Sequence, residues 1–153
     1  MSVEQRATRP PAPPTAEPAL VELLTVVARR VARGVATVLA EDGATLDSYR
    51  AMRALGDGPG RTMGELCTAL SVPAPTATRL VDGLVDGALA YRLPDPDDGR
   101  RVRVHLSAHG RTRLDRLDAL VRAHEAALAA ELGAERVTAL VAALTDLAGL
   151  PRP

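Results

Sequence analysis

The chain has 153 residues, the size of one domain, and its 19 basic and 19 acidic side chains leave it with no formal net charge. With 25% charged and 46% hydrophobic residues, its composition excludes a disordered chain, a histone-like polycation and a disulfide-stapled peptide. The basic residues are all arginine and the only aromatic residues are two tyrosines, so stacking on single-stranded nucleic acid is not expected.

The first predicted elements are an arm and a long helix. Residues 1–18 contain five prolines and are predicted to form a disordered arm, because such a segment cannot bury enough surface to offset its ordering entropy. From about 19 to 41, apolar residues recur at steps of three and four, which predicts a helix. This helix is long for a small domain, so we expect part of its apolar stripe to face another chain.

Two shorter helices follow. The second is predicted from about Leu46 to Leu55, with Tyr49 and Met52 on its inner face. The third runs from Thr62 to about residue 70, where Leu66 and Leu70 point inward. Thr62, followed by Glu65 three residues later, matches a capping box at the start of this helix.

A fourth helix is predicted after the short turn 71–73. Proline is favoured in the first turn of a helix, so Pro75 marks its start, and Gly87 favours an end near Asp86. Apolar residues define its inner side: Ala77, Leu80, Val81 and Leu84. Polar residues define its outer side: Thr76, Thr78, Arg79 and Asp82.

The remainder of the chain predicts a hairpin and two more helices. Apolar residues alternate with other residues over 89–93 and 101–106, which predicts two strands, and the tip at 94–100 consists of turn residues and charges. Ser107 can cap a fifth helix over about 108–131, and Gly133 separates it from a sixth over about 134–148.

Two short helices, a three-residue turn and a hairpin with a charged tip are typical of a winged helix-turn-helix. A helix of about 10–12 Å diameter fits the major groove of DNA, where threonine and arginine can bond base edges or phosphates. Thr76, Thr78 and Arg79 are the candidates on the fourth helix. The hairpin can reach an adjacent minor groove or the backbone, and four arginines supply its positive charge: Arg92, Arg100, Arg101 and Arg103.

Acidic residues at the hairpin tip oppose this interpretation. Asp95, Asp97 and Asp98 weaken the attraction to phosphate unless they orient the neighbouring arginines through ion pairs. Arg101 and Arg103 alternate with valines, so both are expected on the outward face of their strand, which any solvated hairpin would also show.

The stretch from Leu66 to Ser107 resembles the MarR (multiple antibiotic resistance regulator) family, above all in TRLVDGL at 78–84 and LPDPDDGRRVRVHLS at 93–107. With its flanking helices the likeness covers roughly residues 20–148. It implies a mainly α fold with a small β-hairpin wing and long N- and C-terminal helices that interlock between two chains. Residues 19–44 would then be an N-terminal dimerisation helix, 45–107 the DNA-binding lobe and 108–153 the C-terminal dimerisation helices.

The same resemblance implies a function. It indicates a homodimeric regulator of a palindromic DNA duplex, usually a repressor released by a small, often phenolic, ligand or by thiol oxidation, with no catalytic role and no cofactor. The candidate DNA-binding residues are Pro75, Thr76, Thr78, Arg79, Arg100, Arg101 and Arg103. Asp97 and Gly99 stand where the family wing often carries arginine, so a weaker minor-groove contact is expected.

An effector site can also be hypothesised. Arg33, Tyr49 and Arg53 could border a cavity between the dimerisation helices and the DNA-binding lobe, where arginine would suit a small anionic or aromatic effector. Arginines of these helices could equally form ion pairs with Glu22, Glu41 or Asp47.

Other chemistry finds little support. The lone Cys67 permits no disulfide within the chain and is expected to be an inert, buried or half-buried thiol. His105 and His109 do not share a helical face, so a metal site is not expected, and no enzyme motif is present. No apolar run suits a membrane helix and no secretory signal is recognisable, so a cytoplasmic protein is expected.

One competing hypothesis remains open at this point. Gly83, Gly87 and Gly99, together with the acidic wing, would also suit a winged-helix module that dimerises or sequesters a ligand without reading DNA.

Overall fold

The computed structural model describes residues 19–56 and 58–150, so the arm predicted for 1–18 lies outside the described residues. The helices are α1 (Leu20–Ala40), α2 (Leu46–Gly56), α3 (Met63–Leu70), α4 (Ala74–Asp86), α5 (Ala108–Leu132) and α6 (Ala134–Ala148). The strands are β1 (Arg61–Thr62), β2 (Ala90–Pro94) and β3 (Val102–Leu106), and they form an antiparallel sheet in the order β1-β3-β2. The predicted mainly helical fold with a hairpin is confirmed, and β1 is added to it.

The core lies where α2, α3 and α4 meet the sheet, and the end of α1 and the first half of α5 close it. The chain has neither Phe nor Trp, so its largest fully buried side chains come from leucine, valine and methionine: Leu39, Met52, Leu66, Val81, Val104, Leu106 and Leu117. The inner residues predicted for α2 and α3 are buried in this core.

Local hydrogen bonds define where two of the helices begin. Thr62 Oγ1 accepts from the N–H of Glu65 at 3.3 Å, and the carboxylate of Glu65 accepts from the N–H of Thr62 at 2.7 Å. This reciprocal pair confirms the predicted capping box at the start of α3. At the start of α5, Ser107 Oγ accepts from the N–H of Gly110 at 2.9 Å, which confirms the predicted cap.

The hairpin turns its smallest apolar side chain inward. Ala90 is buried and pairs with the buried Leu106, whereas the larger Tyr91 and Leu93 are exposed on the opposite face. Tyr91 stacks on His105, its cross-strand partner, with 5.3 Å between ring centroids. The inward face of the hairpin is therefore set by tertiary packing and not by side-chain size.

The terminal helices keep apolar faces exposed. On α1 the exposed residues include Leu20, Leu23, Val27 and Val31, and on α6 they are Leu140, Val141, Leu144 and Leu147. The described part of the chain does not cover these faces. Contiguous apolar surface of this kind marks an interaction site.

Gly110 is a close-packing position that can be tested. A Cβ at this residue would lie 2.0 Å from the carbonyl oxygen of Leu89 and 3.0 Å from Cγ of Leu106. We expect Gly110→Ala to lower the free energy of unfolding by roughly 1–3 kcal/mol, because the start of α5 must move away from the sheet.

Gly83→Ala is the matched control. A Cβ at Gly83 meets nothing within 4 Å, and alanine inside a helix is expected to raise the free energy of unfolding by about 0.5–1 kcal/mol. Urea unfolding at one fixed protein concentration measures both variants. A Gly110→Ala protein as stable as the wild type would contradict the close contact.

Candidate nucleic-acid interface

The turn between α3 and α4 sets the orientation of α4. Ser71 ends α3 in the left-handed conformation, with φ of 55°, and its N–H donates to the carbonyl of Thr68 at 3.2 Å. Pro73 follows in an extended conformation and precedes the first residue of α4. One side of α4 then packs on the core through Ala77, Val81 and Leu84, so its other side faces solvent.

The residues predicted to read DNA lie on this outer side of α4. Pro75, Thr78 and Arg79 are exposed, and Thr76 is half-buried. All four belong to the first two turns of a 13-residue helix, which is the part of a reading helix that contacts base edges. The structure therefore brings these predicted residues together on one surface.

The arginines between residues 61 and 103 divide into two groups. Arg79 and Arg100 are exposed, and their guanidinium groups have no hydrogen bond or ion pair within the described residues. The side chains of the others are bound by the protein: Arg61, Arg92, Arg101 and Arg103. A guanidinium without a protein partner keeps all five of its N–H donors for a ligand.

Aspartates build the tip of the wing. The carboxylate of Asp95, which is 5% exposed, accepts from the N–H of Asp97 at 2.9 Å. Oδ1 of Asp98 accepts from the N–H of Arg100 at 3.1 Å. The N–H of Asp97 and, next, the guanidinium of Arg103 lower the pKa of Asp95 below its usual range. The acids thus fix the loop that presents Arg100.

The guanidinium of Arg103 is turned toward the protein. Its Nε donates to Oδ2 of Asp95 at 2.6 Å, and its Nη1 donates to the carbonyl of Gly60 at 3.1 Å. The same Nη1 lies 3.7 Å from the carboxylate of Glu65. Arg103 lies on the outward face of its strand, as expected, since its neighbour Val104 is buried. Its guanidinium is nevertheless bound by the protein, because β1, which the sequence analysis missed, pairs with β3 and brings Gly60 and Glu65 alongside.

Arg101 keeps the outward position that was expected. Its side chain is 68% exposed, and its Nε lies 3.2 Å from Oδ2 of Asp98. The possibility that the wing aspartates orient neighbouring arginines through ion pairs is therefore realised in both Arg101 and Arg103.

A further ion pair joins α4 to the wing. Nη2 of Arg92 in β2 donates to Oδ1 of Asp82 in α4 at 2.6 Å. Sequence reasoning noted the charge of Arg92 and the outward position of Asp82 but did not pair them. Ten residues and a turn separate the two, so no local pattern predicts the contact.

The structure brings together two of the three predicted effector residues. Tyr49 is buried, its hydroxyl donates to Oδ1 of Asp118 at 2.7 Å, and the guanidinium carbon of Arg53 lies 5.9 Å from its ring centroid. Burial and, next, the hydrogen bond to Asp118 raise the pKa of Tyr49. Arg33 is exposed on α1, and its guanidinium has no hydrogen bond or ion pair with the described residues.

The structure also places the other features considered in the sequence, which are the cysteine, possible metal ligands and membrane-spanning helices. Cys67 is half-buried, as expected. Within residues 19–56 and 58–150, no group of three or more His, Cys, Asp or Glu side chains could hold a metal ion. None of the described helices is long and apolar enough to span a membrane.

Comparisons with known sequences agree with this geometry. The model of the MarR family matches residues 42–101. The HTH-type transcriptional repressor Rv2887 of Mycobacterium tuberculosis is 31% identical over 100 residues, which cover 65% of this chain and 72% of that protein. A putative transcriptional regulatory protein for the hcr operon of Thauera aromatica is 27% identical over 103 residues, 67% of this chain and 62% of that protein.

Solved structures give the same result. The transcriptional repressor CouR bound to a 23-mer DNA duplex matches with a TM-score of 0.79 and 28% identity over 85% of this chain and 92% of that chain. Wild-type MarR of E. coli in its apo form matches with a TM-score of 0.77 and 27% identity. The match covers 88% of this chain and 99% of that chain. The chain thus belongs to the MarR family of winged helix-turn-helix transcriptional regulators.

Proposed function

We propose that this chain is a dimeric, cytoplasmic repressor that binds palindromic double-stranded DNA and is released by a small effector. The observation that carries the proposal concerns two exposed guanidinium groups, those of Arg79 on α4 and Arg100 at the wing tip, which have no partner within the described residues. The side chains of the other arginines between residues 61 and 103 are held by the protein. CouR, a structural neighbour, is seen bound to a DNA duplex.

The reading step follows from the geometry of α4. With α4 in the major groove, Arg79 can donate two hydrogen bonds to a guanine edge, and Thr76 and Thr78 can bond bases or phosphates. Arg100 then points to the adjacent minor groove, while Arg101 supplies charge near the backbone. Arg103 contributes by fixing the wing through Asp95 and Gly60.

The exposed apolar faces support the dimer. Burying α1 and α6 against a second copy would remove leucine and valine side chains from water, at roughly 25 cal/mol per Å² of apolar surface. Two copies of α4 would then face half-sites about 34–36 Å apart, one turn of DNA.

Arg79→Ala tests the reading helix. We expect the variant to bind its target duplex about 10- to 100-fold more weakly and to lose most discrimination against a scrambled duplex, because a bidentate contact to a base is removed. Arg122→Ala, which removes an exposed arginine of α5, serves as the control. The measurement is fluorescence anisotropy with a duplex that the wild type selects from a random library.

Two outcomes would count against the assignment. If Arg79→Ala left discrimination intact, α4 would not be the reading element. If the wild type formed no salt-dependent complex with any duplex, the competing hypothesis of a winged-helix module that does not read DNA would be favoured instead.

Leu144→Glu tests the dimer. A carboxylate in the middle of the apolar face of α6 is expected to convert a dimer into a monomer in sedimentation experiments, because burying the charge is costly. Leu93→Glu, at a similarly exposed leucine of the wing, should leave the dimer intact. A monomeric wild type at micromolar concentration would contradict the proposal.

An aromatic carboxylate is the effector class that we propose. Rv2887 is seen in complexes with p-aminosalicylic acid and salicylic acid. In this chain Tyr49 and Arg53 offer a ring, a hydroxyl and a guanidinium within one cluster that also joins α2 to α5. Such a ligand can shift the dimer away from its DNA-binding geometry only by binding the two states with different affinity.

Arg53→Ala tests this site with salicylate as the probe. We expect salicylate to release wild-type protein from its duplex and to need about tenfold higher concentration with the variant, because a charge-assisted hydrogen bond is lost. Arg30→Ala on α1 is the control, and both variants should bind DNA normally without salicylate. Equal salicylate sensitivity of the wild type and Arg53→Ala would rule out the Arg53 contact.

A further inference from the structure

The ion pair between Asp82 and Arg92 lies between the two elements that contact DNA in the proposed function. Nη2 of Arg92 and Oδ1 of Asp82 are 2.6 Å apart, and the side chains are 37% and 52% exposed. Asp82 follows Thr78 by four residues and Arg79 by three, so it shares their face of α4.

Stability does not explain this pair. Exposed ion pairs contribute little to the free energy of unfolding, since both partners are well solvated before they meet. An acidic side chain beside Thr78 and Arg79 also repels phosphate, which by itself weakens DNA binding. Asp82 therefore opposes the proposed function unless it does something for the complex.

The orientation of Arg92 indicates what Asp82 does. Arg92 leaves β2 on the same face as the buried Ala90, and the hydrogen bond to Asp82 draws its guanidinium toward α4. The pair engages Nη2 alone, and the other guanidinium nitrogens have no partner within the described residues. The remaining N–H donors of a rigid fork are thus held at the gap between α4 and the wing.

A DNA strand must cross this gap. The major and minor grooves of a duplex are separated by one sugar–phosphate backbone. With α4 in the major groove and the wing tip at the adjacent minor groove, that backbone passes between the two elements. The phosphates of this strand therefore come close to the free edge of the Arg92 guanidinium.

We propose that Arg92 binds a backbone phosphate between the two grooves and that Asp82 is the positioning residue that holds it there. The proposal rests on the proposed function, because it needs α4 and the wing on one duplex. Holding the guanidinium in place before binding reduces the side-chain entropy lost in the complex.

For the change in DNA affinity on substitution of Asp82, the proposal and simple electrostatics predict opposite signs. Asp82→Asn removes a negative charge from a DNA-facing surface, so charge alone would tighten binding. If Asp82 positions Arg92, the variant instead binds more weakly. Asp86→Asn, at an exposed acid of the same helix without a partner among the described residues, is the matched control, and we expect it to bind as well as or better than the wild type.

The experiment measures affinity against salt concentration for full-length variants. The probes are a 30-bp duplex selected by the wild type from a random library and a scrambled duplex of the same composition. We expect Arg92→Ala to weaken both complexes by a similar factor, about tenfold. The slope of log affinity against log salt should fall by about 0.9 for each protomer, as for one lost phosphate contact.

The double variant isolates the positioning role. Asp82→Asn alone should weaken DNA binding about threefold or more. In the double variant, where Arg92 is already alanine, it should have no such effect, because the effects of substitutions at coupled residues are not additive. Asp82→Glu should restore part of the loss. Thermal melts should lie close to that of the wild type, since both residues are exposed.

The outcomes separate this inference from the proposed function. Tighter binding by Asp82→Asn, or an unchanged salt slope in Arg92→Ala, would overturn the inference alone if Arg79→Ala still abolished discrimination. A wild type that formed no salt-dependent complex with either duplex would overturn both.

Discussion

The burial of one side of α4 is the constraint on which the rest of the structure depends. Ala77, Val81 and Leu84 lock the helix against a core built from leucine, valine and methionine. Because an α-helix has 3.6 residues per turn, burying these positions forces Thr78 and Arg79 to face solvent. The outward placement of Thr78 and Arg79 is thus a geometric consequence of core packing.

The pairing of charges explains how a chain without net charge can still present guanidinium groups that no carboxylate binds. Most arginines between residues 61 and 103 are engaged by carboxylates or carbonyl groups. The guanidinium groups of Arg79 and Arg100 therefore stay available because the acidic residues nearby bind other arginines, and not because arginine is in excess. Total charge says little about nucleic-acid binding in a protein of this kind, whereas the local distribution of ion pairs says much.

The sequence predicts the features that depend on neighbouring residues. The capping box of Thr62 and Glu65, the Ser107 cap and the outward face of α4 all follow from spacings within one or two helical turns. It does not predict β1, a two-residue strand without periodicity, and so misses the contact of the Arg103 guanidinium with Gly60. Contacts between distant segments, such as Tyr49 with Asp118, also have no local signature.

The 25 residues of α5 give the molecule one continuous rod. Its first turn is pressed against the hairpin at Gly110, its middle is held to α2 through Asp118, and its far end leads into the apolar α6. At 1.5 Å per residue the rod is about 37 Å long, so a tilt of about 5° moves one end by roughly 3 Å. A displacement of this size is comparable to the length of a hydrogen bond, so a small change of angle at one end of α5 is enough to break polar contacts at the other end.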